Sequence, residues 1–125
     1  MIHLDTSVLI DALTGARRSA PALRAAIAGG QRIAISTLVL YEWRRGPRIQ
    51  AELEAQDALL PGDAAVPFDS AAASRAAQLY GTVRRPRGRG LDLAIAACAL
   101  IHGASFWTLN REDFDDVPGL HLYEP

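Results

Sequence analysis

Four acidic residues of this sequence are candidates for a catalytic or metal-binding role. They are Asp5, Glu42, Asp92 and Asp113. Asp5, Asp92 and Asp113 lie at or just beyond junctions between predicted strands and helices, and Glu42 lies about one and a half turns into a predicted helix. Carboxylates that converge repel one another and take up protons unless a cation favours their charged forms. Such oxygen ligands suit Mg²⁺ or Mn²⁺, and the chemistry they indicate is phosphodiester hydrolysis.

Each acid also has a purely structural interpretation. Asp5 or Asp92 alone could cap a helix and complement its dipole. Glu42 is harder to explain in this way, because its apolar neighbours indicate a largely buried helix, where an unpaired carboxylate is costly. Asp69 is interpreted as a helix cap. Convergence of the four acids would therefore distinguish a metal site from scattered caps.

Other kinds of catalytic site fit the sequence poorly. His3, His102 and His121 show no zinc-ligand spacing, and no Gly-x-Ser-x-Gly motif is present. The lone Cys98 lies among alanines and leucines, where a thiol usually behaves as a small hydrophobe. Since the net charge is only −1, any binding of nucleic acid must come from a local basic patch.

The acids must be positioned by alternating strands and helices, because short apolar runs alternate with longer helical patterns. This order is typical of α/β proteins with a parallel sheet. The predicted strands are 2–5, 32–36, 65–68, 105–109 and 120–123. The predicted helices are 6–13, 20–28, 37–45, 48–60, 70–84 and 91–102. Parallel strands collect ligands at their carboxyl ends, so the acids are expected to share one edge of the sheet.

The length of 125 residues predicts a single domain over 1–125. The N-terminus lacks the pattern of a signal peptide. The most apolar run, 91–100, is interrupted by Asp92 and is too short to span a bilayer. We therefore expect a cytoplasmic protein that does not associate with membranes.

Four sequence blocks together resemble the PIN-domain ribonucleases, and they are most similar to the VapC-type toxins. The blocks are Asp-Thr-Ser-Val-Leu-Ile at 5–10, Glu42, Leu-Asp-Leu-Ala-Ile-Ala-Ala at 91–97, and Thr-x-Asn-x-x-Asp-Phe at 108–114. The similarity extends over nearly the whole chain in order and spacing. It implies an α/β/α sandwich of three layers around a central five-stranded parallel sheet.

The same resemblance implies roles for individual residues. Asp5, Glu42, Asp92 and Asp113 would be catalytic, and Mg²⁺, or Mn²⁺ as a substitute, would be held by Asp5, Asp92 and Asp113. Ser7, Thr108 and Asn110 would give polar support. The fourth acid is the uncertain position, because many PIN domains have an aspartate where this chain has Asn110. Asp113 is assigned to this role, in preference to Asn110 and Asp115.

The resemblance also implies an endoribonuclease that forms a homodimer and is held inactive by a cognate antitoxin. The loop at 84–90 carries four arginines among glycines and a proline just before Asp92. Arg85, Arg87 and Arg89 are accordingly candidate contacts to RNA phosphates. A solvated, mobile connection explains this loop equally well.

Two alternatives stay open at this point. The chain could be a nuclease of the same fold that works in RNA processing or DNA cleavage, outside a toxin pair. It could also be a catalytically silent binding module whose acids only cap helices. A nuclease assay with added Mg²⁺ separates the second alternative from the first.

Overall fold

The central sheet consists of three parallel strands in a computed structural model that describes residues 1–125. The strands are β1 (Ile2–Leu4), β2 (Ile33–Ala34) and β3 (Ser105–Trp107). They lie in the order β2-β1-β3. Ile2 pairs with Ile33 on one side and Ser105 on the other, and Leu4 pairs with Trp107. The predicted α/β fold with a parallel sheet is thus confirmed.

The prediction of five strands is corrected to three. The segments at 65–68 and 120–123 each contribute one parallel bridge, Val66 to Ser36 and Leu122 to Phe106. At the first segment, Pro67 follows Val66 and has no N–H to continue the ladder. The next amide, Phe68 N–H, donates to the side-chain oxygen of Thr37 instead. These two segments therefore flank the sheet without extending it as strands.

Six α-helices connect and cover the strands, as predicted. They are α1 (Thr6–Leu13), α2 (Ala20–Ala28), α3 (Thr37–Arg45), α4 (Gln50–Leu59), α5 (Ser70–Thr82) and α6 (Gly90–Ile101). Two short 3-10 helices cover Gly62–Ala64 and Arg111–Asp113. Helix α1 packs against α2, α3 and α4, while α5 packs along α6. None of these helices combines the length and apolar composition needed to cross a membrane.

The core is a single cluster of 23 buried hydrophobic residues. All three residues of β1 are buried, as is typical of a parallel strand covered on both faces. Cys98 belongs to the buried face of α6, and burial raises the pKa of its thiol to about 11. The thiol therefore behaves as the small hydrophobe that its neighbours predict.

This core holds the carboxyl ends of two neighbouring strands side by side. β1 passes into α1 through Asp5, and β3 is followed directly by Thr108. Because Leu4 pairs with Trp107, the residues after these strands emerge next to each other. The edge where the acids were expected is therefore formed by the buried residues Asp5 and Thr108, which directly follow β1 and β3.

Candidate active site

Asp5 is the most tightly held acid at this edge. It is 5% exposed and caps the start of α1, where its Oδ1 accepts a hydrogen bond from the Thr6 N–H at 2.9 Å. Its Oδ2 accepts from Ser7 Oγ at 2.9 Å and from Thr108 Oγ1 at 2.7 Å. Its own amide donates to the Trp107 carbonyl at 2.9 Å. Both the backbone and the carboxylate of Asp5 are consequently fixed in orientation.

Opposing effects act on the protonation of Asp5. Burial raises the pKa of its carboxyl group, hydrogen bonds from Thr108, Ser7 and Thr6 lower it, and the charge of Glu42 raises it again, leaving the pKa above its ordinary value. A carboxylate has about four lone-pair positions. Three hydrogen bonds leave one position open on Oδ1, so Asp5 retains capacity for one further ligand.

Ser7 and Thr108, predicted as supporting residues, connect the two chain segments at this edge. Their hydroxyl oxygens lie 3.4 Å apart, and both donate to Asp5. Ser7 Oγ accepts from the Leu109 N–H at 3.1 Å, and Thr108 Oγ1 accepts from the Asn110 N–H at 3.0 Å. Asn110 joins the network through its backbone, while its exposed side chain makes no hydrogen bond within the protein.

Glu42 comes to the same edge from α3. Thr6 Oγ1 donates to its Oε1 at 2.6 Å, and Arg45 Nη2 lies 3.6 Å from its Oε2. Its side chain is 19% exposed, so most of the group is withdrawn from solvent. Sequence reasoning missed this role of Thr6. The only signal for it was its place between Asp5 and Ser7 at the start of a helix.

Asp92 lies in the first turn of α6, within reach of the charges of the other three acids. Burial raises the pKa of its carboxyl group to about 6, and the charges of Asp5, Asp113 and Glu42 add to this rise, while Arg89 opposes it. All three acids therefore lie close enough for their charges to act on Asp92. The four acids predicted from the sequence are brought to one region of the molecule.

The segment after β3 supplies Asp113 from the exposed 3-10 helix Arg111–Asp113. The Asp113 N–H donates to the Asn110 carbonyl at 3.0 Å, which closes the turn. Asp113 is the acid of this segment whose charge raises the pKa of Asp92. Asp115 is exposed and makes no side-chain hydrogen bond. These contacts favour Asp113 as the fourth acid, and its catalytic role stays a prediction.

The arginine loop divides into free and bound side chains. Arg85 and Arg87 are exposed. Arg89 forms a bidentate pair with Asp116, at 2.9 and 2.6 Å, and donates to the Asp113 carbonyl at 3.0 Å. The hydrogen bonds from Arg89 hold the pKa of the Asp116 carboxyl below its ordinary value. The three arginines predicted together as RNA contacts are thus not equivalent.

The chemistry of the donor set fits a hard divalent cation. The candidate ligands are carboxylate and hydroxyl oxygens. A bound cation would offset the burial and the neighbouring negative charges that together raise the pKa of Asp92. The side chains do not form a ready-made cage, because no three acidic, histidine or cysteine groups lie close enough to hold one ion together. Binding therefore requires movement of some of these side chains.

An apolar groove of about 270 Å³ lies apart from the acids, between α1, α2 and α4. Its apolar lining includes Leu23, Ile27 and Ile49, of which Ile27 is 41% and Ile49 65% exposed. Arg17, Arg24 and Glu52 also line it, which leaves an excess of positive charge. This arrangement of exposed apolar side chains beside positive charge has the character of a protein-binding surface.

Solved structures with the same fold are toxin–antitoxin complexes. One from Klebsiella pneumoniae shares 26% sequence identity, with a TM-score of 0.75 and coverage of 100% of both chains. VapBC2 from Rickettsia felis, bound to a DNA fragment from its promoter, shares 23% identity at a TM-score of 0.74, and 98% of each chain is covered. DNA-bound VapBC from Salmonella typhimurium shares 22% sequence identity at a TM-score of 0.75, and the match covers 98% of this chain and 96% of the other. The last two establish similarity of fold alone.

A second comparison concerns sequence. No curated protein matches this chain. The sequence profile of the PIN domain matches residues 2–120, and this range contains all four acids, the supporting hydroxyls and the arginine loop. The resemblance read from the four sequence blocks is confirmed. The chain belongs to the PIN domain family.

Proposed function

We propose that this protein is a metal-dependent endoribonuclease and the toxin component of a VapBC-like toxin–antitoxin pair that acts in the cytoplasm. The observation that carries the proposal is the convergence of four acids from separate chain segments on one region of the molecule. At Asp92, burial raises the pKa of the carboxyl group, and the charges of Asp5, Asp113 and Glu42 raise it further. Helix caps placed independently of one another would give no reason for such convergence.

In this proposal, Asp5, Asp92 and Asp113 hold Mg²⁺, or Mn²⁺ in its place. A divalent ion bound there would lower the pKa of a water molecule and balance the charge that develops on the phosphate. Ser7 and Thr108 keep Asp5 Oδ2 engaged, so the open position on Oδ1 would be the one available to the ion. Glu42 is fixed through Oε1 by Thr6, and its Oε2 makes only the 3.6 Å ion pair with Arg45, so Oε2 would be the oxygen that accepts a proton from the attacking water.

RNA is the proposed substrate, and the exposed part of the arginine loop is the proposed contact to its backbone. Arg85 and Arg87 lie a few residues before Asp92 and present guanidinium groups to solvent. Guanidinium groups bind phosphate oxygens in bidentate fashion. Because the protein as a whole carries a net charge of −1, this local patch is the means of attracting a polyanion towards a cluster of acids.

The proposed protein partners are a cognate antitoxin and a second copy of this chain. The fold neighbours are themselves toxin–antitoxin complexes. We place the antitoxin on the apolar groove between α1, α2 and α4, where Arg17 and Arg24 favour an amphipathic segment with acidic flanks. Co-purification with the product of the adjacent gene tests the antitoxin, and light scattering of the isolated chain tests the homodimer.

The decisive test is RNA cleavage in Mg²⁺, in Mn²⁺ and in chelator, by wild type and three isosteric variants. Asp5→Asn, Glu42→Gln and Asp92→Asn each remove charge with little change in volume. Each is expected to lower cleavage by about 100-fold or more, since it removes a group that acts on the reacting phosphate or its ion. Circular dichroism and thermal melts check that each variant is folded. A variant with wild-type activity would remove its residue from the site.

Asp113→Asn and Asp115→Asn form a matched pair for the fourth acid. Asp113→Asn is expected to be nearly as damaging as the other three changes, whereas Asp115→Asn should be mild, because Asp113 acts on Asp92 and Asp115 does not. The reverse order would move the fourth acid to Asp115. Preferential cleavage of DNA would favour a PIN-fold nuclease outside a toxin pair, and no metal-dependent cleavage would favour a silent binding module.

A further inference from the structure

Arg89 occupies the position between the two segments that carry Asp92 and Asp113. It immediately precedes α6, whose first turn holds Asp92, and its guanidinium group reaches across to the 3-10 helix that ends at Asp113. Its side chain is only 20% exposed, although it belongs to a loop of otherwise exposed arginines. This position differs from that expected of a phosphate-binding side chain.

Four hydrogen bonds within the protein occupy the Arg89 guanidinium group. Nη1 donates to Asp116 Oδ2 at 2.9 Å and to the Arg85 carbonyl at 3.3 Å. Nη2 donates to Asp116 Oδ1 at 2.6 Å and to the Asp113 carbonyl at 3.0 Å. Since a guanidinium has about five N–H donors, only one stays free, and a phosphate could bind here in bidentate fashion only by displacing one of these partners.

The hydrogen bond from Arg89 to the Asp113 carbonyl links the Arg89–Asp116 pair to one of the candidate metal ligands. The 3-10 helix is anchored on one side by the buried ring of Phe114, which packs 4.8 Å from Phe106 between centroids. On the other side it is held through Arg89 to the start of α6. The positive charge of Arg89 also acts on both Asp92 and Asp113, which offsets their mutual repulsion.

We infer that Arg89 and Asp116 form a clamp that positions Asp113 beside Asp92, so that the fourth acid is in place when the metal ion binds. Arg89 is a positioning residue in this role and not an RNA contact, and Asp116 is its anchor. The inference rests on the proposed function, because it assigns the clamp a part in the metal site. It deepens that function by adding two residues that hold the metal ligands without touching the ion.

The test uses Arg89→Gln, Asp116→Asn and the double variant in the full chain. Mn²⁺ affinity is measured by titration calorimetry, RNA cleavage by a gel assay, and amide hydrogen exchange at Asp113 and Phe114 in chelator. Each single change is expected to weaken Mn²⁺ binding about 10-fold, the lower end of the range for groups that orient metal ligands. Because the two residues act as a unit, the double variant should be no worse than the more damaged single variant.

Asp116→Asn is the variant that separates the two interpretations. It removes a negative charge, so by electrostatics alone it should strengthen RNA binding. Under the clamp it should instead slow cleavage, speed exchange at Asp113, and weaken Mn²⁺ binding more than Asp115→Asn, which removes the same charge from an exposed neighbour. Arg18→Gln, an exposed arginine between α1 and α2, is the matched control for lost positive charge and should leave Mn²⁺ affinity unchanged.

Two results would overturn the clamp while leaving the nuclease proposal intact. In the first, Arg89→Gln loses cleavage and Asp116→Asn keeps wild-type cleavage and Mn²⁺ affinity, which would return Arg89 to RNA binding. In the second, exchange at Asp113 rises in both variants but Mn²⁺ affinity does not change, which would make the pair merely structural. A wild-type protein that neither binds Mn²⁺ nor cuts RNA would overturn the proposed function itself, and the clamp's role with it.

Discussion

Helix α6 joins two regions of opposite chemistry. At its start, Asp92 lies among other carboxylates and its pKa is raised to about 6. Just past its end, the ring of His102 lies 5.6 Å from the ring of His3, whose pKa is lowered to about 4. Burial is the largest cause at both places, and the charge of a like neighbour adds to it. One region therefore disfavours the carboxylate form of Asp92, and the other disfavours the imidazolium form of His3.

The two regions differ in what can reach them. The acids include the exposed Asp113, and Asp5 keeps an open position for a ligand. His3 is 2% exposed, and its Nε2 is buried without a hydrogen-bond partner. A cation could relieve the repulsion among the acids because it can reach them from solvent, whereas no ion can reach the buried His3. The same physical effect thus leaves an accessible cluster of acids at one end of α6 and a buried His3 that disfavours protonation at the other.

The largest expected effect tests the histidine region by pH. The folded-state pKa of His3 lies below its unfolded value, so the folded state binds fewer protons between pH 6.5 and about 4. The contribution of neutral His3 to the free energy of unfolding is therefore fully present above pH 6.5 and is lost as the pH drops towards 4. The loss at pH 4 should be about 3 kcal/mol, and His3→Leu should lack it. Urea unfolding of both proteins from pH 4 to 7 measures the difference.

His121→Gln is the matched control for this experiment, because His121 is exposed. This variant should keep the wild-type loss of stability at low pH. Carboxylates titrate over the same range, so the quantity compared is the change with pH in each protein and not the stability at one pH. If His3→Leu and wild type lost stability in parallel, His3 would not be the buried group that titrates.

The next effect, in the acid region, has the opposite dependence on pH. The raised pKa of Asp92 means that the metal-free folded state loses stability as the pH rises from about 4 through about 6. Asp92→Asn should therefore melt higher than wild type in chelator at pH 7. Because Asp92 is only half buried, solvent screening reduces the gain to about 1 kcal/mol, or about 3 °C.

Added metal should reverse the order of these two proteins. Mg²⁺ or Mn²⁺ raises the melting temperature of wild type by mass action on the folded state, and Asp92→Asn should lose most of that rise. Chelator and metal samples are matched in ionic strength, so that screening is not mistaken for binding. A variant that melts lower in chelator and gains as much from metal as wild type would show that Asp92 acts only on the dipole of α6, where it makes no capping hydrogen bond.

The order of helices and strands was predictable, but the extent of the sheet was not. Periodicity and glycine or proline breakers located six helices and five apolar runs, because these features report burial directly. Strands of 3, 2 and 3 residues depend on which amides find partners across the sheet. At 65–68 a single proline stops the ladder after one bridge, which an apolar run does not reveal.

In the site, too, the residues indicated by their neighbours in the sequence were predictable, and the pairings between distant residues were not. Asp5 and Asp92 stand at junctions that local sequence defines, and resemblance to a family pointed to Ser7 and Thr108. The clamp was not predictable, because Arg89 looks like the other arginines of its loop and Asp116 lies 27 residues further on. Pairings of this kind follow from how the segments pack. The catalytic and metal-binding roles themselves stay predictions.

The smallest effect sharpens the comparison at the histidine end of α6. The positive charge of His102 adds to the burial that lowers the pKa of His3, so His102→Gln should raise that pKa and spare part of the stability lost in acid. His102 is exposed, so its charge acts through a dielectric close to that of water, and at 5.6 Å it contributes less than about 1 kcal/mol. The gain should shrink in 1 M salt, which screens an exposed charge but leaves burial unchanged. Urea unfolding at pH 4.5 in low and high salt measures it, and added Mg²⁺ should not alter it. A variant that loses as much stability in acid as wild type at both salt concentrations would assign the lowered pKa of His3 to burial and the N-terminus alone.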